Sequence, residues 1–132
     1  MERKIPLVLA FISASVLFYF HTLGLRSDYY WLIWWFDILM HFLGGATLGF
    51  LGFTFFKKIN AVSVRRVFVY GNSLTLFFAL IWEVIELASK ITFIAAEYWL
   101  DATGDILAAI TGSSLSIALL FRILTPSGER NF

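Results

Sequence analysis

The stretch WLIWWFDILMHFLGG, residues 31–45, places Asp37 and His41 four residues apart in a run that is otherwise apolar and aromatic. Extending it outward, Tyr29 to Phe56 contains no other ionisable acid or base apart from two tyrosines. That is longer than the ~20 apolar residues a helix needs to cross a bilayer. An acid and an imidazole kept inside such a run need a reason, and the reason depends on the solvent around it.

Composition identifies that solvent. The chain has 132 residues, of which 60% are hydrophobic, 19% aromatic and 14% charged. A soluble domain averages about 25% charged residues, and one of this length has too little interior to hide so much apolar surface. The expectation is one all-α domain, residues 1–132, embedded in the membrane as a bundle of four transmembrane helices. The spans are placed at about residues 5–25, 29–56, 67–89 and 101–124. The segment KITFIAAEYWL, residues 90–100, is amphipathic and aromatic, and suggests a short interfacial helix before the fourth span. The N-terminal run resembles a signal peptide, but it stays uncharged from Ile5 to Leu25, longer than the ~7–15 residues of a signal core. It is read as a retained first span. The tail from Thr125 is polar and is read as a loose end.

The net charge of +1 gives no footprint for a nucleic-acid partner. There are no cysteines, so disulfides and thiolate metal sites are excluded. Of the basic residues, Arg3, Lys4, Lys57, Lys58, Arg65, Arg66, Arg122 and Arg130 fall at one end of the spans, and only Arg26 and Lys90 at the other. By the positive-inside rule both termini are expected in the cytoplasm, and the chain is placed in the plasma membrane.

The acids distribute the opposite way. Only Glu2 and Glu129 fall on the cytoplasmic side. Asp28, Asp37, Glu83, Glu86, Glu97, Asp101 and Asp105 lie toward the outer side, as do all five tryptophans. At about 1.5 Å per residue, Asp37 and His41 lie roughly 12 and 18 Å along the second span from Tyr29. Glu83 and Glu86 lie roughly 9 and 5 Å from the end of the third at Ser89. Asp101 and Asp105 open the fourth. Spacings of i, i+4, of i, i+3 and of i, i+4 put each pair on one helix face. If the faces meet, carboxylates crowd in low dielectric and require shared protons or a bound cation.

The candidate metal ligands are therefore Asp37, His41, Glu83, Glu86, Asp101 and Asp105, with Glu83 and Glu86 as candidate catalytic bases. One imidazole among carboxylates favours Mn, Fe or Zn over Mg or Ca. Simpler roles compete. Asp101 or Asp105 can favour the N-terminal end of the fourth helix, Glu86 can be solvated, and Asp37 with His41 can be a hydrogen-bonded pair that joins helices. Glu83, between Trp82 and Val84 within a span, is hardest to explain that way. His21 is read as interfacial. Asn72, Ser73 and Thr75 are read as packing groups, and Gly44, Gly45, Gly49 and Gly52 as points of close helix approach.

Three ordered motifs, FDILMHFLGG, WEVIE and DATGDILAAITG, resemble the pattern of YjdF-type bacterial inner-membrane proteins. That pattern is Asp-x3-His-Phe-x2-Gly, then Glu-x2-Glu after an aromatic, then Asp-x3-Asp before small residues and a glycine. More broadly the chain resembles VanZ-like membrane proteins, one of which is linked to glycopeptide-antibiotic resistance. The match spans Asp37 to Gly112 and falls on the same six polar residues. The chain departs from it in having fewer spans before the first motif, and Leu87 where an aromatic is common. The resemblance implies a membrane bundle and a polar site, and no particular reaction.

The leading functional expectation is a divalent-metal site open to the outer face. It would serve a metal-dependent hydrolase or transferase acting on an envelope lipid or lipid-linked substrate. The alternatives are an ion- or proton-coupled transporter, or an accessory protein whose polar cluster fixes helix packing. Membrane lipids are the expected partners, and a homo-oligomer is compatible with the sequence.

Overall fold

The structure, a computed structural model, describes residues 4–58, 63–89 and 98–124. Its helices are α1 (Ile5–Arg26), α2 (Tyr29–Leu32), α3 (Phe36–Lys58), α4 (Val64–Ser89) and α5 (Tyr98–Leu124). The four long ones are long and apolar enough to cross a membrane. The expected interfacial helix lies mostly outside the described residues; Tyr98 to Leu100 form the start of α5.

The second span begins at Phe36, not at Tyr29. The helical run is interrupted without glycine or proline. Asp28 adopts the left-handed conformation with φ 54°, α2 makes a single turn, and Ile33 is extended at φ −124°, ψ 99°. The chain re-enters a helix when the Phe36 N–H donates to the Ile33 carbonyl at 2.9 Å. Asp37 is therefore in the first turn of α3 rather than midway along one continuous helix. A carboxylate there meets the positive end of the helix dipole.

α3 is the central helix and packs against α1, α4 and α5. Its tightest partner is α5. A Cβ at Gly49 would sit 2.6 Å from the Ser113 carbonyl oxygen, and one at Gly112 would sit 3.0 Å from the Ala46 nitrogen. Small residues let the two backbones touch, which is how membrane helices gain packing when lipid is as apolar as leucine. Gly52 does the same toward α4, where a Cβ would lie 3.2 Å from Gly71 Cα. At the basic end the interior is apolar: Ala10, Phe50, Phe53, Val67, Ile117 and Leu120 form one buried cluster. Phe53 stacks edge-on against Phe121, with ring centroids 4.9 Å apart.

Outside and inside are exchanged relative to a soluble protein. Phe11, Phe77, Leu107, Leu115, Leu119 and Ile123 are exposed, while His41, Glu83, Glu86, Asp105 and Ser113 are buried. Lipid satisfies the first set, and the second must find partners inside the bundle. Of the expected packing groups, Asn72 accepts a hydrogen bond from Ser114 across α4 and α5 at 3.2 Å. Thr75 is buried and donates to the Gly71 carbonyl one turn back. Ser73 is exposed and takes no part in the interior.

Candidate metal centre

Three helices bring acids to the end of the bundle opposite the apolar cluster. α3 contributes Asp37 and His41, α4 contributes Glu83 and Glu86, and α5 contributes Asp105. His41 is the hinge of the arrangement. One ligand atom each from Asp37, His41 and Asp105 lie within 4.8 Å of one another, and the same holds for His41, Glu83 and Glu86. Two ligands on opposite sides of one ion stand about 4–5 Å apart when each bond is about 2.0–2.6 Å. The spread is at the outer edge of what a single ion spans.

The contacts inside the cluster are long. His41 Nε2 is 3.8 Å from Asp37 Oδ1 and 3.9 Å from Glu83 Oε1. Both exceed hydrogen-bond range. Among the described residues, the one short contact in the group holds Glu86 from behind: Trp82 Nε1 donates to Glu86 Oε1 at 2.6 Å. This bond fixes the carboxylate and leaves its other oxygen turned away from the indole. Burial is nearly complete, with Asp105 1% exposed, Glu83 6%, Glu86 7% and His41 8%. Yet His41 Nε2, Glu83 Oε1, Glu86 Oε2 and Asp105 Oδ1 have no hydrogen-bond partner among the described residues. A buried polar atom left unpaired costs about 1–3 kcal/mol, more if charged. Four such atoms among the residues of two adjoining triads call for shared protons or a bound cation.

Five of the six candidate ligands thus converge. Asp101 does not join either group; it is exposed one turn before Asp105, on the solvent-facing start of α5. A helix-end role of the kind weighed for both residues fits Asp101 and not Asp105.

Two further features escaped the sequence reading. His21, taken as merely interfacial, has its Nδ1 2.6 Å from the Tyr30 hydroxyl, joining α1 to the α2 turn. Burial, followed by the negative charges of Asp37 and Glu86, raises the Tyr30 pKa, so its hydroxyl stays protonated. Ser113, buried on α5 with an Oγ that has no partner among the described residues, lies two turns beyond Asp105. A serine in a small-residue helix gives no pattern that would single it out.

An all-helical bundle with a greasy exterior and an acid-lined interior at one end defines an integral, multi-pass membrane protein with a buried His/carboxylate cluster. The chain belongs to the family described as "Predicted membrane protein (DUF2238)", whose profile matches residues 2–126. No curated protein and no solved structure matches it.

Proposed function

We propose that the protein holds a divalent metal ion between α3, α4 and α5 and uses it for hydrolytic or transfer chemistry on a membrane lipid. One observation carries this: two triads that share His41, one with Asp37 and Asp105 and one with Glu83 and Glu86, each bring ligand atoms within 4.8 Å, and four buried atoms of these residues lack a hydrogen-bond partner among the described residues. A cation held by either triad would satisfy the atoms of its members. His41, the residue common to both groups, would supply the nitrogen, with Glu83, Glu86, Asp37 and Asp105 as candidate oxygen donors. This mixed set suits Mn, Fe or Zn better than Ca or Mg. A metal held there would supply a more acidic bound water, and a Glu83 or Glu86 carboxylate not committed to the ion would accept its proton.

A transport role is less well supported. A through-path would have to cross the basic half of the bundle, where Phe50, Phe53, Val67, Ile117 and Leu120 close the interior with apolar side chains. The three motifs that resemble YjdF-type proteins all lie within the family match; the wider VanZ-like resemblance rests on those motifs alone.

Purified wild-type protein is expected to carry about one Mn, Fe or Zn per chain by elemental analysis. Its affinity should fall as pH is lowered, because protons compete for the same imidazole and carboxylates. A metal-free protein whose thermal stability ignores added Mn(II) and Zn(II) would remove the proposal.

Orientation follows from the basic residues: both termini in the cytoplasm of a plasma-membrane protein, with the metal end outward. Reporter fusions at Asn60 and at the C-terminus should read cytoplasmic, and one at Tyr98 external. The reverse pattern would turn the site to the cytoplasmic leaflet.

A further inference from the structure

α1 and α4 both lean on α3 but are not packed substantially against each other. Between them lies a cavity of about 830 Å³. Its walls are apolar side chains of two helices, including Leu17 of α1 and Phe78 and Ile85 of α4, and its floor is α3. At one end the floor carries Asp37 and His41, with His21 and Tyr30 beside them. The long apolar cleft therefore runs into the candidate metal centre.

Two quantities decide what fills it. Along α4 the lining extends from Thr75 to Ile85, about 15 Å at the helical rise. That is half of a bilayer's ~30 Å hydrocarbon core, the depth of one leaflet. The volume lies in the range of about 300–1,000 Å³ that single small ligands occupy. A single hydrocarbon chain matches this depth and volume. The floor is also built to leave room. A Cβ added at Gly44 would meet no atom within 4 Å, whereas one at the adjacent Gly45 would run into the Ala109 backbone. Gly44 faces the cleft and Gly45 faces α5.

We infer that the cleft between α1 and α4 takes the hydrocarbon chain of a phosphate-bearing lipid, entering sideways from the bilayer, with its phosphate at the Asp37/His41 end. The choice of phosphate rests on the metal reading above: bare carboxylates repel an anion, while a divalent ion held by them attracts hard phosphate oxygens. The location of the chain does not depend on the metal. It follows from the cleft's depth, its apolar walls and its side opening to lipid.

The probe is phosphatidic acid carrying a photoactivatable diazirine in its acyl chain, added to the full chain in phosphatidylcholine nanodiscs with Mn(II). Labelled sites are mapped by mass spectrometry, and Mn content is measured on the same samples. Labelling is expected on Leu17, Phe78 and Ile81. Unlabelled phosphatidic acid should compete, and diacylglycerol, which lacks the phosphate, should not. Gly44→Leu should cut cleft labelling at least tenfold while keeping Mn, because its side chain fills the cleft without touching packed backbone. Ala14→Phe, from the opposite wall, should do the same. Labels spread over outward residues such as Phe11 and Leu119, unchanged by either variant, would overturn the proposal. So would equal competition by diacylglycerol. Wild-type protein that binds no Mn but is labelled in the cleft would sink the metal reading and leave the chain site standing.

Discussion

Asp37→Asn and His41→Gln are each expected to lower metal affinity by a factor of 100 or more while leaving the helical fold intact. The size follows from removing a direct ligand, since loss of a supporting outer-shell group alone costs about 10–100-fold. His41 should show the larger loss because it belongs to both triads. Both substitutions keep approximate shape and hydrogen-bonding capacity, which separates two explanations for the opening stretch. If Asp37 and His41 only join helices, their replacement is nearly neutral, because interhelical hydrogen bonds in membranes average about 0.6 kcal/mol. The 3.8 Å separation already argues against a strong bond between them. A matched pair on α5 sharpens the test. Asp105→Asn, at a 1% exposed position with an orphaned oxygen, should lose metal. Asp101→Asn, exposed one turn away, should keep it. Metal content by elemental analysis and thermal stability with and without Mn(II) read all four. Variants that fold and retain wild-type metal would mean that the cluster is a packing device with shared protons.

The sequence contains most of the architecture because its signals are long. Four apolar runs of bilayer length need no tertiary information to be read as spans. The i, i+4 spacing of Asp37 with His41 and the i, i+3 spacing of Glu83 with Glu86 place each pair on one face, and the structure has them facing inward. What depends on rotation about a helix axis is less legible. Asp101 and Asp105 look equivalent in a string. They separate because four residues advance a helix slightly beyond one full turn, and because Asp105 lies deeper in the bundle. The break at Ile33 is hidden for a different reason. Residues 31–35 are apolar and aromatic, with no glycine or proline to punctuate them, so hydropathy continues through a point where the backbone does not. The contact between His21 and Tyr30 depends on that break, because α2 has to turn back toward α1 to make it.

Adjacent glycines give the other large effect. Gly45→Ala should destabilise the protein and release metal, while Gly44→Ala should leave both unchanged or slightly improved. Helix propensity treats the two alike, favouring alanine by up to about 1 kcal/mol at either position. Packing treats them oppositely. A Cβ at Gly45 would collide with the Ala109 carbonyl and lie 2.7 Å from Ala109 Cα. This is backbone, which cannot swing aside as the end of a flexible side chain can. Gly112 presses on the Phe42 carbonyl in the reciprocal direction, so α5 cannot yield locally without disturbing the next contact. Forcing extra volume into a packed core costs about 1–3 kcal/mol, enough to outweigh the gain in propensity. The functional consequence follows from register. Gly45 is one turn beyond His41 on α3, and Ala109 one turn beyond Asp105 on α5. Prising the helices apart at Gly45 and Ala109 therefore separates the Asp105 carboxylate from the His41 imidazole. Thermal unfolding in detergent and metal content on the same preparations check both halves. A Gly45→Ala protein as stable and as metal-loaded as wild type would show that the α3–α5 crossing yields to an added methyl group, and that the distance between His41 and Asp105 is not set by it.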